Sequence, residues 1–299
     1  MPRCGSLIQS LLTKRAITCS QAIRYRTCVL PRAGELSVPA RFFAGAEVAD
    51  LNSTLELKGA RNVRDLGGYP YGTGAGATGK TAFGAFLRAG SLGGLRGADF
   101  ARLERYGLRR VIDVRSSFET RHWPDPFAAM GHPGIEYVHI PMFDQLNSSG
   151  MRGQIPARML DVYLRLLDDD ADSLRRVFEA LDLGDEPGCV LFHCRAGKDR
   201  TGVIAMLLLG LAGVSDEDIV RDYVATGSAM TPSMWAQRAL VTIILRKRVP
   251  RSLFVAHAEE MERTLEHLYE RYGTARAYLE AYAGVAPDVL DRLTARLRG

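Results

Sequence analysis

The chain of 299 residues is 46% hydrophobic and 24% charged, a composition that excludes a disordered protein and allows one large core or two smaller ones. Its net charge of +5, from 39 basic and 34 acidic residues, is too small to indicate nucleic-acid binding but suits an anionic substrate. The longest apolar run, residues 203–214, is shorter than the roughly 20 residues that cross a bilayer. We therefore expect a soluble protein with no nucleic-acid partner and no transmembrane segment.

The first 45 residues differ in composition from the rest of the chain. Residues 1–34 contain arginine and lysine but neither Asp nor Glu, and residues 7–12 form a largely apolar run. Such a segment is typical of an organelle transit peptide and equally of a disordered basic tail. We predict a basic tail, disordered or targeting, over residues 1–45 and one domain over residues 46–299. The expected location is cytoplasmic, or mitochondrial if the tail is a transit peptide.

The cysteines indicate neither a disulfide framework nor a metal site. There are five, an odd number without regular spacing, which is typical of a reducing compartment. No CxxC or CxxH pair is present, so zinc is not indicated. We expect no metal and no cofactor.

Strand and helix patterns alternate along the first part of the domain. Four apolar runs predict strands, at residues 85–88, 110–114, 135–140 and 189–192, and helical patterns fall at residues 99–106, 156–167 and 173–181. This alternation predicts an α/β layered fold with a mostly parallel sheet flanked by helices. The last third is wholly helical, with a core helix from Arg200 to about Gly213 and further helices opened by Ser215, before Gly273 and after Pro287.

The segment between Cys189 and Gly202 carries the chemistry. It reads as a strand, the tight loop HCRAGKDRTG and a helix, with five residues between Cys194 and Arg200. A loop of this length can wrap a tetrahedral anion with its backbone N–H groups, and the helix N-terminus adds positive potential. The same groups favour the nucleophilic thiolate of Cys194. The phosphate is expected to contact Arg195, Ala196, Gly197, Lys198, Asp199 and Arg200.

Three neighbouring side chains receive supporting roles. The planar guanidinium of Arg200 can donate two hydrogen bonds to phosphate oxygens and stabilise the transition state. Thr201 can hydrogen-bond the thiolate and ease its departure, and His193 is expected to order the loop through backbone hydrogen bonds. This loop does not match the nucleotide-binding pattern GxxxxGK[ST], because Lys198 is followed by Asp199, and it does not suit a sulfurtransferase. The Gly-rich segment at residues 72–80 is interpreted as a surface turn, because it lacks the preceding strand and following helix that a nucleotide loop requires. The loop predicts hydrolysis of phosphate monoesters through a phosphocysteine intermediate.

HCRAGKDRTG resembles the active-site loop of the protein tyrosine and dual-specificity phosphatase superfamily, and in particular the bacterial and fungal branch similar to mycobacterial protein tyrosine phosphatase B. Supporting segments are RNVRDLGGY at residues 61–69, DVRS at 113–116, IP at 140–141, RDY at 221–223 and YGTARAYL at 272–279. The resemblance covers residues 55–297. It implies a phosphatase-type sheet, a helical lid at about residues 215–265, and tyrosine phosphatase activity with dual or triple specificity open. Arg195 and Ala196 depart from the branch, and Arg195 adds a second cation at the pocket rim.

The acid that protonates the leaving group has three candidates. The WPD triplet that ends at Asp125 matches an acid-loop motif, but its chain position predicts the wrong end of the sheet, so we interpret the match as coincidence. Asp144 follows a strand at the active edge, where small dual-specificity phosphatases carry their acid. Asp199 lies inside the loop and is favoured by the resemblance, so it ranks first and Asp144 second. Asp113 and Arg115, at the same edge, are expected to brace the loop.

Lys198 leaves the substrate class open. Phosphoinositide phosphatases carry a lysine in a similar CKAGKxR loop, where it can pair with further phosphates of the head group. The expected partners are phosphorylated proteins or peptides, with phosphoinositides as the alternative. A phosphate-binding pseudophosphatase is the contrasting class. The retained Cys194, Arg200 and Thr201 favour an enzyme, because binding alone would not require the thiol.

Overall fold

A five-stranded sheet forms the centre of the part of the chain that the structure describes. The structure, a computed structural model, describes residues 55–72, 78–143, 158–228 and 255–299. The sheet strands are β1 (Arg64–Asp65), β4 (Phe86–Ala89), β5 (Leu108–Asp113), β6 (Glu136–His139) and β7 (Cys189–His193), in the spatial order β1-β4-β7-β5-β6. All neighbouring pairs are parallel except β1 with β4, which confirms the mostly parallel α/β sheet. A separate antiparallel pair joins β2 (Pro70–Tyr71) and β3 (Gly79–Lys80).

Helices follow and separate the strands. In the described residues they are α1 (Gly97–Arg105), α2 (Ser117–His122), α3 (Pro126–Met130), α4 (Met159–Asp169), α5 (Ala171–Leu181), α6 (Asp199–Ala212), α7 (Asp216–Ser228), α8 (Ala258–Tyr272), α9 (Ala275–Ala277) and α10 (Pro287–Arg298). A π-helical turn, Tyr278–Tyr282, continues α9. No helix in these ranges combines the length and the apolar character needed to cross a membrane.

Two apolar cores lie on opposite faces of the sheet. Successive side chains of a strand point to opposite faces, and β7 accordingly sends Leu191 to one core and Phe192 to the other. The smaller core packs the sheet against α1 and α3 through Leu103 and Phe127. The larger core includes α4 to α8 and α10, and it surrounds α6, whose residues from Thr201 to Leu209 are all buried. Because α6 is packed on all its faces, its N-terminal end, where the predicted loop ends, is held in a defined position.

The observed elements lie close to the sequence prediction. Each of the four predicted strands is present within two residues of its expected bounds, and α6 ends at Gly213, whose φ of 77° is the left-handed conformation that favours glycine. Ser215 caps α7, because its Oγ accepts a hydrogen bond of 3.3 Å from the Asp218 amide. The sequence did not predict β1 to β3 or the π-helical turn. Residues 229–254 of the expected lid lie outside the described residues.

Candidate active site

The loop that follows β7 lies at the carboxyl edge of the sheet. β7 is the central strand, flanked by β4 and β5, and its last residue is His193. Cys194 comes next, and α6 begins five residues later at Asp199. The loop therefore lies where the parallel strands end and a helix N-terminus begins, the usual ligand position in sheets of this kind.

Cys194 is enclosed by the backbone of its own loop. The residue is 2% exposed, and the Gly197 amide donates a hydrogen bond of 3.2 Å to its Sγ atom. Gly197 has a φ of 68°, and a Cβ atom built there would lie 2.6 Å from the carbonyl carbon of Ala89. Only glycine fits this tight turn against β4. The result is an N–H group pointed at the sulfur, as an anion-binding loop requires.

Side chains outside the loop hold its carbonyl groups away from the pocket. The Asn62 amide donates to Gly197 O at 2.7 Å and to Ala196 O at 3.3 Å. Arg88 also donates to Gly197 O, at 2.8 Å. Because these donors bind the loop's carbonyl oxygens from outside, its N–H groups remain free to face an anion.

Asp222 anchors these donors in a buried ionic cluster. Its carboxylate pairs with Arg64 at 2.8 Å and with Arg88, and it accepts a hydrogen bond of 3.1 Å from the Tyr69 hydroxyl. Burial raises the pKa of Asp222, but the charges of the two arginines outweigh this effect and lower it. Burial and the neighbouring Arg64 lower the pKa of Arg88 to about 10, although Asp222, Tyr69 and Cys194 oppose the change. Arg88 is therefore cationic at neutral pH and interacts electrostatically with Cys194.

Arg200 is oriented by Glu119 of α2. Its two terminal nitrogens donate to the two carboxylate oxygens at 2.6 and 3.1 Å, and both side chains are only 13–14% exposed. Burial lowers the pKa of Arg200, but the charges of Glu119 and Cys194 have a larger, opposite effect. The pKa of Arg200 therefore lies above its ordinary value. Burial raises the pKa of Glu119, while Arg200 and Ser116 lower it to about 2. One terminal nitrogen also donates to the Val114 carbonyl oxygen at 3.4 Å. Within the described residues, the Nε edge of the guanidinium is therefore the part left to bind phosphate.

Asp199 is linked to a chain of hydroxyl groups. The Tyr163 hydroxyl donates to Asp199 Oδ1 at 2.5 Å and lies 2.7 Å from the Tyr223 hydroxyl, which donates to Glu260 at 3.2 Å. Burial, followed by the charge of Asp199, raises the pKa of Tyr163 well above its ordinary value. Tyr163 is therefore a neutral donor that fixes one carboxylate oxygen of Asp199. The Asp199 side chain is 24% exposed, so it is still accessible from solvent.

Lys198, for which a contact with phosphate is expected, has a buried side chain. It is 1% exposed, and its Nζ atom lies 3.2 Å from Asp199 Oδ1 and 3.3 Å from the Val255 carbonyl oxygen. The β7–α6 loop turns this side chain inward beside α8. Lys198 therefore contacts the candidate acid, Asp199.

His193 lies among three charged side chains. Its Nδ1 is 3.3 Å from Cys194 O, and its Nε2 lies 3.4 Å from Asp125 Oδ2 and 3.8 Å from Asp113 Oδ2. Arg115 pairs with Asp113 at 2.6 Å and lies 3.6 Å from Asp125. Asp113 and Arg115 thus lie close to His193, the residue before Cys194, and their bracing of the loop stays a prediction.

The location expected for Asp125 was wrong. Because α2 ends at His122 after only six residues, the chain does not run the length of the sheet, and Asp125 stays beside His193 at the active edge. It is 1% exposed and caps α3 by accepting a hydrogen bond of 3.0 Å from the Phe127 amide. Burial raises the pKa of Asp125. Oxygen and nitrogen atoms of Asp113, Asp125 and His193 lie close enough to share a cation, but Arg115 already provides the positive charge there.

Two further residues of the predicted site are Thr201 and Asp144. The Thr201 hydroxyl is buried and makes no hydrogen bond within the described residues, so the expected bond to Cys194 is not formed here. Asp144 lies outside the described residues. Sequence analysis missed Asn62, Arg88 and Glu119 as parts of the site. Asn62 lies inside the supporting segment at residues 61–69, Glu119 lies close to the one at 113–116, and Arg88 lies in the predicted strand at 85–88.

This geometry, a cysteine in a loop lined by backbone N–H groups with an oriented guanidinium, defines a cysteine-dependent phosphatase. The family model described as "Tyrosine phosphatase family" matches residues 55–299, so the chain belongs to this family and is a protein tyrosine phosphatase. It is 30% identical to a tyrosine-protein phosphatase of Nostoc commune, over 71% of this chain and 74% of the relative. It is 27% identical to the triple specificity protein phosphatase PtpB of Mycobacterium tuberculosis, over 82% of this chain and 99% of the relative.

Proposed function

We propose that Cys194, Arg200 and Asp199 hydrolyse phosphotyrosine in proteins or peptides in two steps. The Cys194 thiolate attacks phosphorus, the bond to the tyrosine oxygen breaks, and Asp199 gives that oxygen its proton. Water then attacks the phosphocysteine, its proton passes to Asp199, and the sulfur leaves as thiolate. Arg200 and the loop amides stabilise the charge on the equatorial oxygens in both steps.

The observation that carries this proposal is that one loop holds both a buried thiol and a guanidinium that Glu119 orients. The sulfur accepts a hydrogen bond from the Gly197 amide, and Glu119 binds both terminal nitrogens of the guanidinium. A module that only bound phosphate would not need the thiol, which disfavours a pseudophosphatase. The buried position of Lys198 gives no support to a phosphoinositide preference. The name of the mycobacterial relative suggests that phosphoserine and phosphothreonine belong in the substrate panel.

The role of Asp199 is tested by the leaving group. Loss of a general acid slows substrates with basic leaving groups most, so Asp199→Asn should lower kcat by about 100-fold for phosphotyrosine, within the usual range for general acid catalysis, and much less for an activated aryl phosphate. Asp144→Asn is the matched variant, because Asp144 is the other candidate. If Asp144→Asn shows the leaving-group dependence and Asp199→Asn does not, the roles must be exchanged.

A further inference from the structure

Three exposed rings lie side by side next to the pocket. We call Phe118, His122 and Trp123 the aromatic shelf. The ring centroids of Phe118 and His122 are 4.0 Å apart, and those of His122 and Trp123 are 5.9 Å apart. Phe118 is 61% exposed and Trp123 is 46% exposed. Grouped aromatic surface of this kind favours contact with another molecule, because covering it removes apolar area from water.

Arg195 connects the shelf to the catalytic loop. It follows the nucleophile directly, and the Ser91 amide fixes its backbone by donating to Arg195 O at 3.0 Å. The guanidinium carbon lies 4.0 Å from the centroid of the Trp123 ring, which is a cation–π contact. The shelf therefore begins at the rim of the pocket, one residue from Cys194.

The other cations of the site pair with carboxylates, whereas Arg195 contacts an aromatic ring. Arg200 pairs with Glu119, Lys198 with Asp199, and Arg88 with Asp222. Within the ranges that the structure describes, the Arg195 guanidinium makes only the contact with Trp123. Stacking occupies one face of the guanidinium and leaves its N–H edges able to bind a carboxylate.

We propose that the aromatic shelf and Arg195 form a subsite for the peptide residue next to the phosphotyrosine, with preference for an acidic side chain. This inference rests on the proposed function. Neighbouring residues of an extended peptide are about 3.3–3.6 Å apart, so a phosphotyrosine held over Cys194 brings its flanking side chain to the rim. The shelf is three side chains wide, which fits one or two peptide residues. Its continuity with the phosphate pocket favours a peptide over a membrane surface.

The test compares phosphotyrosine peptides that are identical except for Asp or Asn beside the phosphotyrosine, placed on each side in turn. Wild type should prefer the Asp peptide by about three- to tenfold in kcat/KM on one side, the range of a partly exposed charged hydrogen bond. Arg195→Ala and Trp123→Ala should bring this ratio close to one. Arg121→Ala, which removes an exposed cation of the same helix α2, should keep the wild-type ratio.

Two results would overturn the subsite. One is hydrolysis of all the peptides with the same ratio of kcat/KM for Asp over Asn peptides in wild type and in Arg195→Ala. The other is binding to phosphatidylserine vesicles that Trp123→Ala abolishes while the peptide ratio stays unchanged, which would assign the shelf to a membrane. If wild type hydrolyses none of the peptides, the proposed function fails, and the subsite with it.

Discussion

Glu119 is the residue outside the loop on which catalysis should depend most, because it holds both terminal nitrogens of Arg200. Glu119→Gln keeps the size of the side chain, removes its charge and leaves one acceptor oxygen in place of two. The substitution affects two hydrogen bonds to Arg200, of 2.6 and 3.1 Å. The side chains of Arg200 and Glu119 are only 13–14% exposed. Each charge-assisted bond of this kind is worth about 1.5–3 kcal/mol.

We expect Glu119→Gln to lower kcat/KM for a phosphotyrosine peptide by about 10- to 100-fold, since Arg200 keeps its charge but loses its fixed orientation. This range corresponds to about 1.4–2.7 kcal/mol of transition-state stabilisation. Glu136→Gln is the control, because the Arg110–Glu136 pair has a similar distance of 2.7 Å but Glu136 is 58% exposed. The control should change kcat/KM by no more than about twofold. Equal losses in the two variants would refute the orienting role of Glu119.

The same ion pair should make stability depend on pH. The pKa of Glu119 is lowered from 4.5 to about 2 in the folded protein. Its contribution, on the order of 3 kcal/mol, is therefore fully present above pH 4.5 and is lost as the pH falls through 2. Urea denaturation should show a constant difference in unfolding free energy between wild type and Glu119→Gln near neutral pH and a shrinking difference in acid. A difference that does not change with pH would contradict this assignment.

The remaining predictions concern the buried ionic cluster, the thiol and Lys198. Asp222→Asn should lower the unfolding free energy by about 3–5 kcal/mol, because Arg64 and Arg88 lose their buried counter-charge. Urea denaturation measures this loss, and a value below about 1 kcal/mol would contradict it. Activity should survive EDTA but disappear with hydrogen peroxide or iodoacetamide, which oxidise or alkylate the Cys194 thiolate. Inactivation by EDTA that a divalent metal reverses would argue against this chemistry. Lys198→Ala should lower kcat/KM for phosphotyrosine peptides and for multiply phosphorylated inositides by the same factor, and a selective loss with inositides would indicate direct contact with a second phosphate.

The catalytic loop could be predicted because its chemistry is contiguous in the sequence. The spacing between Cys194 and Arg200, the glycine at 197 and the helix start all fall within a few residues of one another. Local patterns also gave the strands and the end of α6, since these depend on apolar runs and on a glycine cap.

The partners that orient the loop could not be predicted because they come from distant parts of the chain. Glu119 and Arg200 are 81 positions apart, and Arg88 and Asp222 are 134 positions apart. Such pairs depend on how the elements pack, which a single sequence does not specify. The placement of Asp125 failed for a related reason, because it depended on the length of α2.

The most direct test of the central claim is the identification of the phosphorylated residue in a rapidly quenched reaction. Wild type mixed with a phosphotyrosine peptide and quenched in acid should carry one phosphoryl group on Cys194, detected by mass spectrometry of the proteolysed protein. Cys194→Ser should still bind phosphate but show no turnover and no phosphorylated residue 194, because a serine hydroxyl is not ionised at neutral pH. A phosphoryl group on another residue, or substantial turnover by Cys194→Ser, would contradict the mechanism.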